Sequence, residues 1–406
     1  MQHFDIVIIG NSAAGLQAIR TLRRLDRRVS LALIDREPRP AYSRVLTPYF
    51  VGGKTSRDNL FIVEESFYGE MGVTPLLGAT AASLDPERHK VRLTDGREIG
   101  FGKLLLATGG EARPLKGATE RVCTLRHLAD ADRMRALSAS ARCVTALGAG
   151  LVSVPVLSHL APGVERHLLV GSDRVFSRLM DAESALLLEE HFARAGVQLH
   201  KRDDVVEINE GERLELRLAS GITIPSDLLV VGKGVRPNTD LAQAAGLSCV
   251  DGVRIDDFCR TSHPDVYAAG DVAEGKDLVT GEPTVQGNWI TAVEQGEHAA
   301  LNMLGLSCAY RGSLKNNTTE VFGLEVAVLG YCQDDAAQTV SWGSRFSGRY
   351  RKAFLDEQGR LIGASLIGET NDAGVYYQMI LGRMRLPSRR MLEGEGRHAA
   401  IQQYLG

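Results

Sequence analysis

The chain opens on an apolar, β-branched run, Phe4 to Gly10, that reads as a buried strand. Apolar residues then recur at Leu16, Ile19, Leu22 and Leu25, the spacing of one face of a helix. A second buried run, Val29 to Ile34, ends at Asp35. The same strand–helix–strand order returns with Val144–Leu147 and His167–Val170, and Leu104–Leu106 and Val266–Ala268 are further short apolar strands. Period-two alternation between Thr80 and Phe101 around the turn Asp95-Gly96 predicts hairpin strands. Glu207-Ile208, Leu214–Leu218 and Ile222–Ile224 read the same way, and Ile290–Leu304 reads as a helix. From about Gly312 the character changes. Val321–Leu329, Tyr350–Leu355 and Leu361–Ile367 are expected as antiparallel strands, followed by a helical stretch from Ala373 to Met384. Repeated β-α-β order ahead of an antiparallel tail predicts an α/β chain with an α+β C-terminal domain.

The first strand runs into Gly10-Asn11-Ser12-Ala13-Ala14-Gly15, a G-x-S-x-x-G loop, and Asp35 lies 20 residues beyond Gly15. This is the arrangement of a dinucleotide site. Gly10 permits the tight turn, a small residue at Ser12 lets a pyrophosphate approach the backbone, and Gly15 lets helix and strand pack closely. The helix N-terminus offers free N–H groups and partial positive charge to phosphate, and Asp35 can accept hydrogen bonds from ribose hydroxyls. A glycine-rich turn in an unrelated α/β protein is the plainer reading, but strand, helix, second strand and acid are all in register.

A second loop, Gly148-Ala149-Gly150-Leu151-Val152-Ser153, follows Val144–Leu147. It is less regular. Ser153 holds the third glycine position, Val170 and Gly171 stand where a ribose-binding acid is expected, and Asp173 or Arg174 serves only from a shifted loop. Pro155 is expected to remove one helical hydrogen bond and to kink the helix.

Composition narrows the picture. The chain has 406 residues, enough for two to four domains, and 44% hydrophobic with 24% charged residues argues against a largely disordered chain. Glycine is in excess, at 43 residues against 13 prolines, as suits tight turns and close backbone approaches. A net charge of −3 without a Lys/Arg run gives no nucleic-acid footprint. No apolar stretch reaches the length of a membrane span. The strand-like run at Asp5–Ile9 leaves no room for a signal peptide, so a cytoplasmic location is expected. The cysteines Cys123, Cys143, Cys249, Cys259, Cys308 and Cys332 form no C-x-x-C pair and read as small core residues. The ten histidines show no ligand-like spacing, and no metal site is expected.

Three further segments carry a resemblance. Leu104-Leu105-Leu106-Ala107-Thr108-Gly109-Gly110 looks like the strand and "ATG" turn that leaves a flavin domain. DLLVVGKGVRPN, Asp227 to Asn238, looks like the return crossing, and Val266-Tyr267-Ala268-Ala269-Gly270-Asp271 like a second FAD motif. With both glycine loops, nearly the whole chain resembles the pyridine-nucleotide:FAD oxidoreductase family. It is similar to the branch without a redox disulfide, which includes rubredoxin and ferredoxin reductases, the flavin domain of NADH-nitrite reductase and FAD subunits of oxidoreductase complexes. The stretch Ala41-Tyr42-Ser43-Arg44-Val45-Leu46 is similar to that branch, and residues 36 to 60 contain no cysteine, against thiol–disulfide chemistry there.

The resemblance implies two Rossmann-like domains. An FAD-binding domain of residues 1–112 and 238–311 encloses an NAD(P)-binding domain of 113–237, and residues 312–406 form an interface domain. It implies FAD contacts from Gly10, Ser12, Ala13, Ala14, Gly15, Asp35, Arg36, Arg44, Ala81, Ala107, Thr108, Gly109, Gly270, Asp271 and Trp289. For Arg44 a solvated loop arginine, and for Trp289 a core aromatic, stand as alternatives. NAD(P) contacts are expected from Gly148, Gly150, Leu151 and Gly234. The implied activity is an FAD-dependent NAD(P)H:acceptor oxidoreductase, NADH favoured as donor. Flavin N5 carries the chemistry, no side chain is catalytic, and electrons pass to a redox protein or partner subunit. An FAD-containing electron-transfer subunit that does not react with NAD(P)H, and an NADH oxidase, are the alternatives. A homodimer is a further expectation. The tail arginines Arg383, Arg385, Arg389, Arg390 and Arg397 read as a solvated helix or as a docking surface for an acidic partner.

Overall fold

The computed structural model describes residues 1–117, 119–344 and 348–386. Arg389, Arg390 and Arg397 lie outside them. The chain divides into two compact units, Met1–Val45, Arg57–Glu111 and Val235–Leu314 in the first, Leu46–Ser56, Ala112–Gly234 and Lys315–Gly406 in the second.

The first unit is built on a seven-stranded sheet. Its order is Val73–Leu77, Leu31–Asp35, Gln2–Ile9, Glu98–Leu106, Lys90–Leu93 and Ala81–Asp85, with Val266–Ala268 also paired to Glu98–Leu106. The pairs nearest the first strand are parallel, and register brings Ile9 opposite both Ile34 and Leu106, and Ala268 opposite Leu106. Four strands therefore end at one edge, the end at which parallel sheets carry their ligands. Central strands buried on both faces explain the unbroken apolar run of Ile6–Ile9. Helix Ala13–Leu25 covers one face with Leu16, Ile19 and Leu22, all fully buried, each worth roughly 1.5–3 kcal/mol of burial. Leu25, expected on that stripe, is exposed because the helix ends there. The helix Trp289–Met303 packs against it, and a Cβ at Gly296 would lie 2.9 Å from the Ala14 Cα, so glycine lets the two backbones meet.

The second unit holds a parallel sheet in the order Val197–Lys201, Glu165–Val170, Cys143–Leu147, Leu228–Val231 and Val122–Cys123. An antiparallel sheet, Val205–Glu210, Leu214–Leu218 and Thr223–Ser226, shares its apolar core through Leu214, Leu216, Leu218 and Ile224. A separate five-stranded antiparallel sheet runs Asn316–Val321, Leu324–Gly330, Leu361–Ile367, Arg349–Leu355 and Gln338–Ser344, followed by the helix Ala373–Leu381. The α/β class with an α+β tail is the class expected.

One local expectation fails. Val321–Leu329 is not one strand. Phe322 and Gly323 both take positive φ, +51° and +78°, and turn the chain into a hairpin of Asn316–Val321 and Leu324–Gly330. The polar run Asn316–Glu320 hid the first arm. Pro155 does remove one helical bond: Val154 N–H donates to the Gly150 carbonyl and Val156 N–H to Val152, both at 3.2 Å, while the proline between them has no N–H to offer Leu151.

Candidate dinucleotide-binding sites

In the first unit, hydrogen bonds between strand ends set the site. Gly10 N–H donates to the Ile34 carbonyl at 2.9 Å, Ala107 N–H to Ile9 at 2.8 Å, and Ala269 N–H to Leu106 at 3.0 Å. This places Gly10–Gly15, Asp35, Ala107–Gly109 and Gly270 at one sheet edge. Gly10 has φ +120°, and a Cβ there would lie 2.6 Å from the Ala107 carbonyl carbon. A Cβ on Gly15 would collide with the Gly10 carbonyl oxygen. Both glycines are thus required by the packing of loop, helix and strand. Ser12 precedes the helix in extended conformation and makes no side-chain capping bond, so the first-turn N–H groups face the loop without a side-chain acceptor there.

Asp35 holds the loop as well as flanking it. Its carboxylate accepts from Asn11 N–H and Glu37 N–H, both at 2.7 Å. Burial raises its pKa above the usual carboxylate range, and these two bonds oppose that rise. Below the loop, the Tyr68 hydroxyl receives the Asn11 side-chain amide at 2.8 Å and Ala41 N–H at 3.0 Å. Burial pushes the Tyr68 phenol up. Neither Asn11 nor Tyr68 was singled out by sequence spacing: the loop pattern leaves its second position free, and Tyr68 lies 57 residues away.

Arg44 is not a solvated loop arginine. It pairs with Glu37 at 2.8 Å, its guanidinium carbon lies 4.8 Å from the centre of the Tyr42 ring, and Tyr42 O–H also donates to Glu37 at 3.0 Å. Arg36 is exposed and pairs with Glu111. Ala81 begins its strand half-buried. Thr108 and Asn238 staple the crossing segments: Asn238 Nδ2 donates to the Thr108 carbonyl at 2.8 Å and Asn238 N–H to Gly109 at 2.9 Å. Gly270 takes φ +80°, and its N–H donates to the buried Gln295 side chain at 2.9 Å, which fixes the second flavin-like motif to the Trp289–Met303 helix. Asp271 follows half-buried, beside Gly287. Asn288 caps that helix by accepting from Thr291 N–H at 2.8 Å. Trp289 is half-buried and packs on the hydrophobic core, so the core-aromatic reading holds for part of its surface.

In the second unit the loop 148–153 occupies the equivalent edge. Gly148 N–H donates to Leu169 at 2.8 Å and has φ +101°. Ser153 is buried and its hydroxyl donates to the Gly148 carbonyl. A serine fits because its neighbour is Gly232: a Cβ there would lie 2.5 Å from Ser153 Oγ and 2.9 Å from its Cβ. Cβ atoms at Gly150, Gly171 and Gly234 would meet nothing within 4 Å. Leu151 is half-buried beside them. Val170 is buried and offers no polar group, while Asp173 is exposed and Arg174 pairs with Asp334 at 3.0 Å. No acid stands at the strand end.

Burial pushes five thiols up, Cys123, Cys143, Cys249, Cys259 and Cys332, with Cys143 near 11 and Cys332 near 12. Thiols raised in this way are poor nucleophiles, as expected of core cysteines. The histidines are less scattered than their spacing implied: parallel register sets Glu165 opposite Cys143, and His167 and His200 meet at 3.1 Å.

Residues 4–296 match the family described as pyridine nucleotide-disulphide oxidoreductase. The chain belongs to that family. Flavoproteins of that family bind FAD and use NAD(P)H. Among family relatives, subunit epsilon of the NADH-dependent phenylglyoxylate dehydrogenase of Aromatoleum evansii is 29% identical, over 96% of this chain and 94% of its own. The assimilatory nitrate reductase electron transfer subunit of Bacillus subtilis is 28% identical over 92% of this chain, which spans only 48% of that protein. A ferredoxin reductase from Rhodopseudomonas palustris superposes with a TM-score of 0.90 at 26% identity, over 98% of this chain and all of the other. Among the described residues no helix is long and apolar enough to cross a membrane.

Proposed function

We propose that this protein passes electrons between NAD(P)H and a redox protein or partner subunit, with NADH as the favoured donor. One observation carries the reading: three strand ends converge on Gly10, Ala107 and Gly270, with Asp35 beside them, around a loop whose Gly10 and Gly15 leave no room for a Cβ. We assign FAD to residues 1–112 and 238–311. Gly10, Ser12, Ala13, Ala14 and Gly15 would hold the pyrophosphate against the helix N-terminus, and Asp35, Arg36 and Ala81 the adenosine. Ala107, Thr108 and Gly109 would line the same cradle. Gly270 and Asp271 would hold the ribityl chain, and Arg44 and Trp289 would lie toward the flavin. FAD would supply the hydride chemistry. This chain's residues bind it, orient it and fix its electrostatics.

Residues 113–237 would bind NAD(P)H through Gly148, Gly150, Leu151 and Gly234, and 312–406 would support subunit contacts. Relatives named as a ferredoxin reductase and as subunits of larger enzymes support a protein acceptor. A cytoplasmic setting suits these partners and the free cysteines. The missing acid at Val170 favours a second reading, an FAD-bearing subunit that does not itself react with nicotinamide. The test is cofactor content and turnover. About one FAD per purified chain, with NADH oxidised when a [2Fe–2S] ferredoxin is supplied as acceptor, supports the proposal. A chain that neither carries nor takes up FAD overturns both readings. Flavin without turnover on either nucleotide moves the weight to the second.

A further inference from the structure

At the opposite end of the second unit's parallel sheet from the glycine loop, three donor side chains converge. Cys143 and Glu165 are the first residues of adjacent strands and stand opposite each other in register. With His167 they offer sulfur, carboxylate and imidazole atoms all within 4.8 Å of one another, among the described residues. His167 Nε2 and Glu165 Oε1 are 3.2 Å apart. Two nitrogen or oxygen ligands at ~2.0–2.1 Å from a tetrahedral zinc are about 3.3 Å apart, so this pair already has ligand spacing.

The surroundings hold the donors in place. Cys143 is 2% exposed and its backbone is fixed on both sides by Asp227, whose carboxylate accepts Cys143 N–H at 2.9 Å and whose N–H donates to the Cys143 carbonyl at 2.8 Å. Arg213, a cation that acts on the Cys143 thiol, is itself engaged by Asp227 at 2.7 Å. The outer nitrogen of His167 meets His200 Nε2 at 3.1 Å, the kind of second contact that orients a metal-ligating imidazole. Glu165 also accepts from Gln198 at 2.8 Å, and its exposed side chain leaves the cluster open to solvent.

We propose that Cys143, Glu165 and His167 bind a divalent cation of the zinc class, with His200 positioning the His167 ring. A mixed sulfur, nitrogen and oxygen set suits zinc or cobalt rather than magnesium or calcium. Five residues of strand separate it from the Gly148 loop, about 16 Å, so the cation stabilises the sheet end and takes no part in electron transfer.

The test uses the flavin-containing protein, stripped with a chelator and then given one equivalent of Zn²⁺. X-ray absorption at the zinc edge should show one sulfur at ~2.3 Å and nitrogen or oxygen neighbours at ~2.0–2.1 Å. Competition with a chromophoric chelator should show His200→Gln weakening zinc by about 10–100-fold. Glu165→Gln should weaken it at least as much, and Cys143→Ser should remove the sulfur signal, with Cys249→Ser changing neither. Zinc lost on gel filtration, a sulfur signal that survives Cys143→Ser, or unchanged affinity in Glu165→Gln overturns the site. Glu165 is half-exposed, so its variant keeps the test open should Cys143→Ser fail to fold.

Discussion

Gly232 and Ser153 form a reciprocal pair, and Gly232→Ala tests it. The backbone of Gly232 lies outside the left-handed region, so alanine meets no conformational strain there. The obstacle is the serine alone: the new methyl would sit 2.5 Å from Ser153 Oγ and 2.9 Å from its Cβ, with the next neighbour, the Gly148 carbonyl oxygen, at 3.5 Å. Overpacking of this kind costs about 1–3 kcal/mol. For a unit of this size each kcal/mol lowers the melting midpoint by about 2–4 °C. Ser153→Gly removes the obstruction at the cost of the hydroxyl bond to Gly148, about 0.5–1.5 kcal/mol, and of a glycine in the first helical turn. The double variant should therefore melt no lower than Ser153→Gly alone, a coupling of about 1–3 kcal/mol between the two sites. Thermal melts of the four proteins, followed by fluorescence, read this directly. Additive shifts, or a Gly232→Ala midpoint equal to wild type, would refute the packing argument.

Three more outcomes follow from the first unit. Tyr68→Phe leaves the buried Ala41 N–H without its acceptor, at about 1–3 kcal/mol, while the Asn11 side-chain amide keeps the Arg39 carbonyl, and should lower the thermal midpoint and loosen FAD; an unchanged midpoint contradicts the network. Asp271→Ala should weaken FAD about 10–100-fold in fluorescence titrations of apoprotein, the loss of one or two bonds to a charged group, and normal affinity rejects its ribityl role. The Asp5 carboxylate is held below its usual range by the Ser30 hydroxyl and N–H. A lowered folded value means stability present above the ordinary pKa of ~3.9 and lost as pH falls through the folded value, so the gap in midpoint between wild type and Asp5→Asn should open above about pH 4 and close in stronger acid. A gap independent of pH contradicts that assignment.

The strands and the two glycine loops were legible because each rests on local pattern: a doubly buried strand is an apolar run, and a turn that excludes Cβ needs glycine. Gly10 and Gly15 illustrate this, as does Gly148. Features built from distant chain segments were not legible. Tyr68 reaches Asn11 across 57 residues, Gln295 grips Gly270 from a helix 25 residues on, and Cys143, Glu165 and His167 meet only through strand register. Ser153 looked like a departure from the glycine pattern until Gly232, 79 residues later, was seen to make room for it. The hairpin turn at Phe322-Gly323 was missed because Asn316–Glu320 is polar on both faces, which erases the period on which strand recognition depends.

The central claim, flavin reduction by a nicotinamide nucleotide, is tested most directly by an anaerobic titration of the purified protein with NADH and then NADPH, following the flavin band near ~450 nm. The account predicts stoichiometric bleaching, with NADH the better donor. A flavin that stays oxidised with both nucleotides contradicts it and leaves this chain as an electron-transfer subunit whose donor is another protein.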